Sequence, residues 1–251
     1  ALGSKFKGEY VGKFGDAAIY SFGRDKCLSS VFGGLAVTAR TPLALQLEQK
    51  ALEFGHPNKL WVLQQLMHPL ILSLSKKLWN FYSLGKVILA AAARLQIISK
   101  AVYPQEKLGD KPPFGFKKMP NALASLALNQ FHKSATVINH RRKILATYKK
   151  NLPANLFIKE RPQSEPVYLR VPIQLTNAKE VLLEAKKQGI ELGDWYGQAI
   201  APSGVEYTKI HFQPENCPVA ASLTKNIINL PTSIQINDLR ADQIIDLLKP
   251  L

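Results

Sequence analysis

Ser21, Arg24, Asp25, Lys26 and Cys27 fall within one short stretch that holds a hydroxyl, a guanidinium, a carboxylate, an amine and a thiol. The amine has the most chemistry to offer. A lysine held on a tight connection between buried strands is partly desolvated, and desolvation favours the neutral form that attacks a carbonyl. Ser21 precedes it by one short turn and can donate to an anion. Gly33 and Gly34 close the stretch and let backbone approach a bulky ligand. Cys27 and Cys217 are far apart, lack metal-type spacing and have no poised histidine beside them, so both read as buried or inert thiols. His132 and His140 have no nearby carboxylate, and no metal site is expected.

Two elements must position the lysine. Ala17 to Phe22 is a short apolar, β-prone run, and Leu35 to Thr38 opens a second after the paired glycines. The two read as neighbouring strands with Lys26 on the turn between them.

The run Ala1-Leu-Gly-Ser-Lys-Phe-Lys-Gly through Asp16-Ala-Ala-Ile-Tyr-Ser-Phe-Gly-Arg-Asp-Lys26, followed by Gly33-Gly34, resembles the DegT/DnrJ/EryC1/StrS family of pyridoxal-phosphate sugar aminotransferases. There the pattern serine-phenylalanine, three residues, lysine carries the cofactor's lysine. The resemblance implies an α/β chain of aminotransferase fold type I: the C-terminal part of the large domain followed by a small α+β domain. It implies that Lys26 holds pyridoxal 5'-phosphate through a Schiff base and shuttles a proton, and that Ser21 binds the cofactor phosphate. Retention of Lys26 favours transamination over dehydration. The implied substrates are an amino-acid donor, glutamate, and a nucleotide-linked keto sugar, in the context of polysaccharide biosynthesis, with a homodimer as the working form. In the family an aspartate for the pyridinium nitrogen and a glutamine precede the alanine-leucine-glycine segment, which here is Ala1-Leu2-Gly3, so the chain is expected to be the later part of a longer enzyme.

The resemblance extends along the chain with departures. Arg24 lies on a loop where many members carry histidine and a small residue. In the segment Phe114-Gly115-Phe116-Lys117-Lys118-Met119, Phe116 stands where the family has a phosphate-binding asparagine, and Lys118 where it has arginine. Arg24, Lys117 and Lys118 are the candidate contacts for substrate or phosphate. Residues 1–150 are assigned to the large domain and 151–251 to the small one. Residues 60–103 look like an apolar helical insertion, with Trp61, Trp79, Phe81 and Tyr82 set among lysines.

Other elements follow from local pattern. Thr41-Pro42 opens a helix with Thr41 as N-cap, and Asn121 caps one long helix running through Tyr148. Pro104 to Pro120 is a loop. Val167 to Ile173 and Thr208 to Phe212 read as strands, Asn177 to Gln188 as a helix closed by Gly189, and Ile227 to Leu230 as a run leading into Pro231. Further helices start at Pro218 and at Asn237-Asp238, the last running toward Leu251.

With 46% hydrophobic and 20% charged residues over 251 positions, the composition is that of an ordinary globular chain. The formal charge of +15 and a pI near 9.8 suit an anionic partner. No helix-turn-helix, finger or aromatic RNA motif accompanies it, so nucleic acid is not expected. The longest uncharged stretch, from Leu60 to Ser75, contains Gln64, Gln65, His68 and Pro69 and is too short for a membrane span. No secretory leader is visible, so the cytoplasm is the expected compartment; residues 60–103 are expected to pack within the protein or its dimer, with docking on a membrane surface as the second reading. The competing reading is a non-catalytic basic fragment that binds a membrane surface or a protein partner.

Overall fold

The computed structural model describes residues 2–79, 81–100, 102–112 and 115–249; Ala1, Asn80, Phe114 and Leu251, which fall in segments discussed above, lie outside them. In chain order the strands are β1 (Lys5–Phe6), β2 (Glu9–Tyr10), β3 (Ala18–Ser21), β4 (Gly34–Val37), β5 (Ser164–Glu165), β6 (Arg170–Gln174) and β7 (Ile227–Pro231). The α-helices are α1 (Thr41–Glu53), α2 (Lys59–Lys77), α3 (Leu84–Arg94), α4 (Pro104–Lys107), α5 (Asn121–His132), α6 (Ser134–Asn151), α7 (Ala178–Lys187), α8 (Pro218–Leu223) and α9 (Asp238–Leu248). They fall into two compact units, one of Ala1–Val11, Lys107–Asp110 and Ser134–Leu251, the other of Gly12–Glu106 and Lys111–Lys133.

In the first unit β6 and β7 pair antiparallel, with Val171 opposite Leu230 and Ile173 opposite Ile228. Val171 and Ile173 alternate with half-buried neighbours, as a sheet with one covered face requires. These strand residues share one apolar core with Ile144, Leu145 and Tyr148 of α6, Ala178 and Val181 of α7, and Ala241, Ile244, Ile245 and Leu248 of α9. Asn237 caps α9 by accepting the Arg240 N–H at 2.9 Å. Gly189, at φ +70°, ends α7 in the left-handed region that favours glycine. A second small sheet, in the order β2-β1-β5, lies in the same unit.

The expected strand over Thr208 to Phe212 does not form. The chain turns from Tyr207 to His211, with the Phe212 N–H donating to the Tyr207 carbonyl at 2.9 Å, so the alternating residues have no strand to pair with. β6 also starts later than Val167, whose N–H is taken by the Ser4 hydroxyl at 2.9 Å instead of by a neighbouring strand.

The single helix expected from Asn121 to Tyr148 is two. Lys133, at φ −96° and ψ 2°, leaves the helical path and donates back to the Gln130 and Phe131 carbonyls. α5 then buries Leu123 and Ala127 in one unit, while α6 buries Val137, Arg141, Ile144, Leu145 and Tyr148 in the other. A 3.6 period that runs through both cannot register such a break. The N-cap of α5 falls on Pro120, not Asn121, and that of α1 on Arg40, not Thr41; the Arg40 N–H is already satisfied by the Thr38 hydroxyl at 3.1 Å.

In the second unit β3 and β4 form an antiparallel hairpin, and α1, α2, α3 and α5 supply the helices. α2 and α3 meet where Gly85 passes the backbone of α2. A Cβ on Gly85 would stand 2.0 Å from the Ser75 carbonyl oxygen, so only glycine fits. Gly85→Ala is expected to destabilise this pair of helices by about 1–3 kcal/mol, seen as a lower denaturant midpoint.

Candidate active site

β3 and β4 pair from Ala18 opposite Val37 to Ser21 opposite Gly34, which places the chemistry-bearing residues on the connection at the closed end. The Phe22 N–H donates to the Gly33 carbonyl at 2.9 Å, and the Ser30 N–H to the Phe22 carbonyl at 3.0 Å, so the long connection is tied at its base. Leu28, Ser30 and Val31 are buried beneath it. Above them the Lys26 N–H bonds the Gly23 carbonyl at 3.1 Å, turning the Lys26 side chain back toward Gly23.

Three side chains converge there. A Cβ on Gly23 would lie 3.5 Å from Ser21 Oγ, 3.7 Å from Asp25 Oδ1 and 3.9 Å from Lys26 Cγ. The Ser21 oxygen accepts the Gly23 N–H at 3.3 Å and keeps its own proton to donate. Lys26 Nζ lies 3.0 Å from Asp25 Oδ2, with the two side chains 40% and 35% exposed. The dry setting expected for the amine is therefore not what surrounds it: its immediate partner is a carboxylate. Asp25 is the carboxylate next to Lys26 in sequence, and the structure pairs the two.

Arg24 points to the other side of the loop. Its Nη1 donates to the Ser99 carbonyl at 2.9 Å, and its Nη2 reaches the Ser99 hydroxyl and, at 3.4 Å, Gln65 Oε1. The Ser99 hydroxyl donates to Gln65 Oε1 at 2.8 Å, and Gln65 Nε2 donates to the Trp61 carbonyl at 3.2 Å. Gln65 is fully buried on α2, so the lysine loop is fastened to that helix by a polar chain. The signal was a glutamine midway along an otherwise apolar helix face.

His68 lies on the same helix. Burial first, and then the Arg24 charge, push its imidazole down to about 4. Because the folded state holds His68 neutral while the unfolded chain binds a proton below its ordinary value of 6.5, stability is lost as pH falls from there toward 4. His68 is only half-buried, which limits the loss to roughly 1–2 kcal/mol. Urea unfolding at about pH 7 and pH 4.5 should show it, and His68→Gln should flatten the difference.

The 115–119 segment docks in the same unit. The Lys118 N–H donates to the Gly55 carbonyl at 3.0 Å, Lys117 Nζ comes within 3.8 Å of a Cβ placed on Gly55, and the Phe116 ring stacks on Phe54 at 5.9 Å. Met119 Cε would be 2.9 Å from a Cβ on Gly33, which sits at φ +134°. Gly33 thus has a backbone reason and a packing reason to be glycine, and Met119 brings the segment onto the lysine hairpin. Lys117 and Lys118 are placed at the end of α1, while Ser21 and Lys26 gather at Gly23.

A primary amine and a hydroxyl on one short connection are a donor set that fits an aldehyde-bearing phosphate cofactor. The fold is that of solved pyridoxal-phosphate aminotransferases of fold type I. Spr1654 of Streptococcus pneumoniae, described as a sugar aminotransferase and solved in its PMP form, is 19% identical over 100% of this chain and 56% of its own, with a TM-score of 0.65. A DegT/DnrJ/EryC1/StrS aminotransferase from Brucella abortus is 17% identical over 100% and 54%, TM-score 0.66. DesV of S. venezuelae, solved with a ketimine intermediate, is 17% identical over 100% and 55%, TM-score 0.62. The chain spans about half the length of these proteins. No curated protein matches it. The model of the DegT/DnrJ/EryC1/StrS aminotransferase family matches residues 1–61 and 88–249, and the chain belongs to that family.

Proposed function

We propose that the chain is part of an enzyme that uses pyridoxal 5'-phosphate to move an amino group from an amino acid, glutamate, to a keto sugar carried on a nucleotide. The observation that carries this reading is that Ser21 Oγ and the Lys26 side chain both come within 3.9 Å of a Cβ placed on Gly23, on the connection between β3 and β4. Family membership and the likeness to Spr1654 in its PMP form support the cofactor. The likeness to DesI, solved in the presence of its TDP-sugar product and 20% identical with a TM-score of 0.62, supports the sugar nucleotide. An excess of basic over acidic residues, 33 against 18, suits an anionic substrate.

In this reading Lys26 attaches the cofactor through Nζ, and the Ser21 hydroxyl donates to its phosphate. The cofactor, when bound, supplies the electron sink for removing a proton beside the amino group. Lys26 Nζ, once displaced by the donor amine, holds and moves that proton. Asp25, 3.0 Å away, orients the amine. Lys117 and Lys118 carry positive charge for the substrate's phosphates, and the enzyme works as a cytoplasmic homodimer.

The test is to express the full reading frame, add pyridoxal phosphate, reduce with borohydride and map the label by mass spectrometry. Label on the Lys26 peptide is the expected result. Label elsewhere, or none, rejects the reading.

A further inference from the structure

α2 and α3 form a helical hairpin with a polar base and an aromatic tip. At the base Gln65 is locked to Ser99 and Arg24, and Gln64 Nε2 donates to the Gln96 carbonyl at 2.5 Å. At the other end Gly85 crosses Ser75, and the connection carries Trp79, Phe81 and Tyr82, which are 42%, 60% and 92% exposed. Phe81 and Tyr82 pack edge to face at 5.2 Å, and Lys86 Nζ sits 5.5 Å above the Trp79 ring. Lys76 and Lys77 end α2 beside them. A group of three exposed aromatic rings leaves considerable apolar area in water unless something covers it.

The charge around the tip is one-sided. Between Glu53 and Glu106 the sequence has no aspartate or glutamate, while Lys59, Lys76, Lys77, Lys86, Arg94 and Lys100 are all cationic. Leu60, Leu63, Leu70 and Leu74 continue the apolar character as an exposed stripe along α2. No described helix is long and apolar enough to cross a membrane. Residues 62–87, which hold most of this hairpin and all of its tip, are also the stretch that the family match passes over. Whatever the tip does is therefore additional to the chemistry at Lys26.

We infer that the described residues of the connection between α2 and α3 dock on an anionic lipid bilayer, with Trp79, Phe81 and Tyr82 entering the headgroup boundary and Lys76, Lys77 and Lys86 facing lipid phosphates. Aromatic side chains with flanking lysines suit this boundary because the rings take the apolar side and the ammonium groups reach the charged one. A second copy of the chain would bring the same cations to face one another, which the charge pattern disfavours. The hairpin's fixed base sets the lysine loop at a defined distance from the surface.

Sedimentation of the protein from its full reading frame with vesicles tests this. It is expected to pellet with vesicles of phosphatidylglycerol and phosphatidylcholine, not with phosphatidylcholine alone, and binding of the unmodified protein should fall steeply in about 0.5 M salt. Lys76→Glu with Lys77→Glu should weaken binding at least tenfold, given roughly fivefold per cation near such a surface. Phe81→Ser with Tyr82→Ser should weaken it comparably, while borohydride labelling at Lys26 persists. Binding to both vesicle types alike, or binding that neither salt nor either double variant reduces, overturns the inference. So does a shift of the Phe81→Ser, Tyr82→Ser protein to a smaller species in light scattering, which would assign the tip to a second copy.

Discussion

Replacing Lys26 with alanine should abolish amino transfer, with a fall of at least about 10³-fold, and should remove the borohydride-trapped label altogether. Nothing else on the hairpin can take over. Ser21 is a poor nucleophile without a base, and the Arg24 guanidinium is engaged by Ser99 and Gln65. Lys26→Arg is a sharper version of the same test. It retains the cation beside Asp25 but has no amine that condenses with an aldehyde, so it should be as inactive as Lys26→Ala. Both proteins should fold normally, because Lys26 is 40% exposed and its ion pair with Asp25 is worth at most about 1 kcal/mol. Asp25→Asn should do less, about tenfold, because it loosens the amine without removing it. Full activity in Lys26→Ala would exclude the covalent role entirely.

The lysine hairpin was legible because each of its parts has a local cause. The β-prone runs, the paired glycines and the serine and lysine between them all bear on the same connection, and the structure pairs β3 with β4 around it. The end of the chain was legible for a similar reason, with an asparagine cap on α9 and a left-handed glycine after α7. What could not be read was what depends on distant partners. The alternation from Thr208 to Phe212 looks like a strand but finds no neighbour. Arg24 looked free to meet substrate, and its contacts with Gln65 and Ser99 span 41 and 75 positions of sequence. The break at Lys133 has no proline or glycine to announce it; α5 and α6 bury their faces in different units, and local pattern carries no information about that.

Arg141 shows the same limit in the core and carries a large expected effect on stability. It stands in the basic run His140-Arg141-Arg142-Lys143, which by composition alone suits solvent, yet it is 6% exposed. Its Nη1 donates to the Leu169 carbonyl at 2.8 Å and to the Thr232 hydroxyl at 2.7 Å, and that hydroxyl lies 2.9 Å from the Tyr168 carbonyl. One side chain thus joins α6 to the segment before β6 and the residue after β7. Against these bonds stands an Nε–H that has no hydrogen-bond partner among the described residues. Bonds from a charged donor contribute about 1.5–3 kcal/mol each, and an orphaned N–H costs about 1–3, so the balance favours arginine by roughly 2 kcal/mol. Arg141→Leu should accordingly lower unfolding stability by about that amount, read from the urea midpoint. Arg141→Lys should fall between the two, since an ammonium keeps the charge but not the reach of the guanidinium. Tyr148→Phe, which removes a 2.9 Å bond to the Pro231 carbonyl in the same core, should cost only about 1 kcal/mol. If Arg141→Leu were instead the more stable protein, desolvation of the guanidinium would outweigh its bonds, and the tie between α6 and the sheet would rest on apolar packing alone.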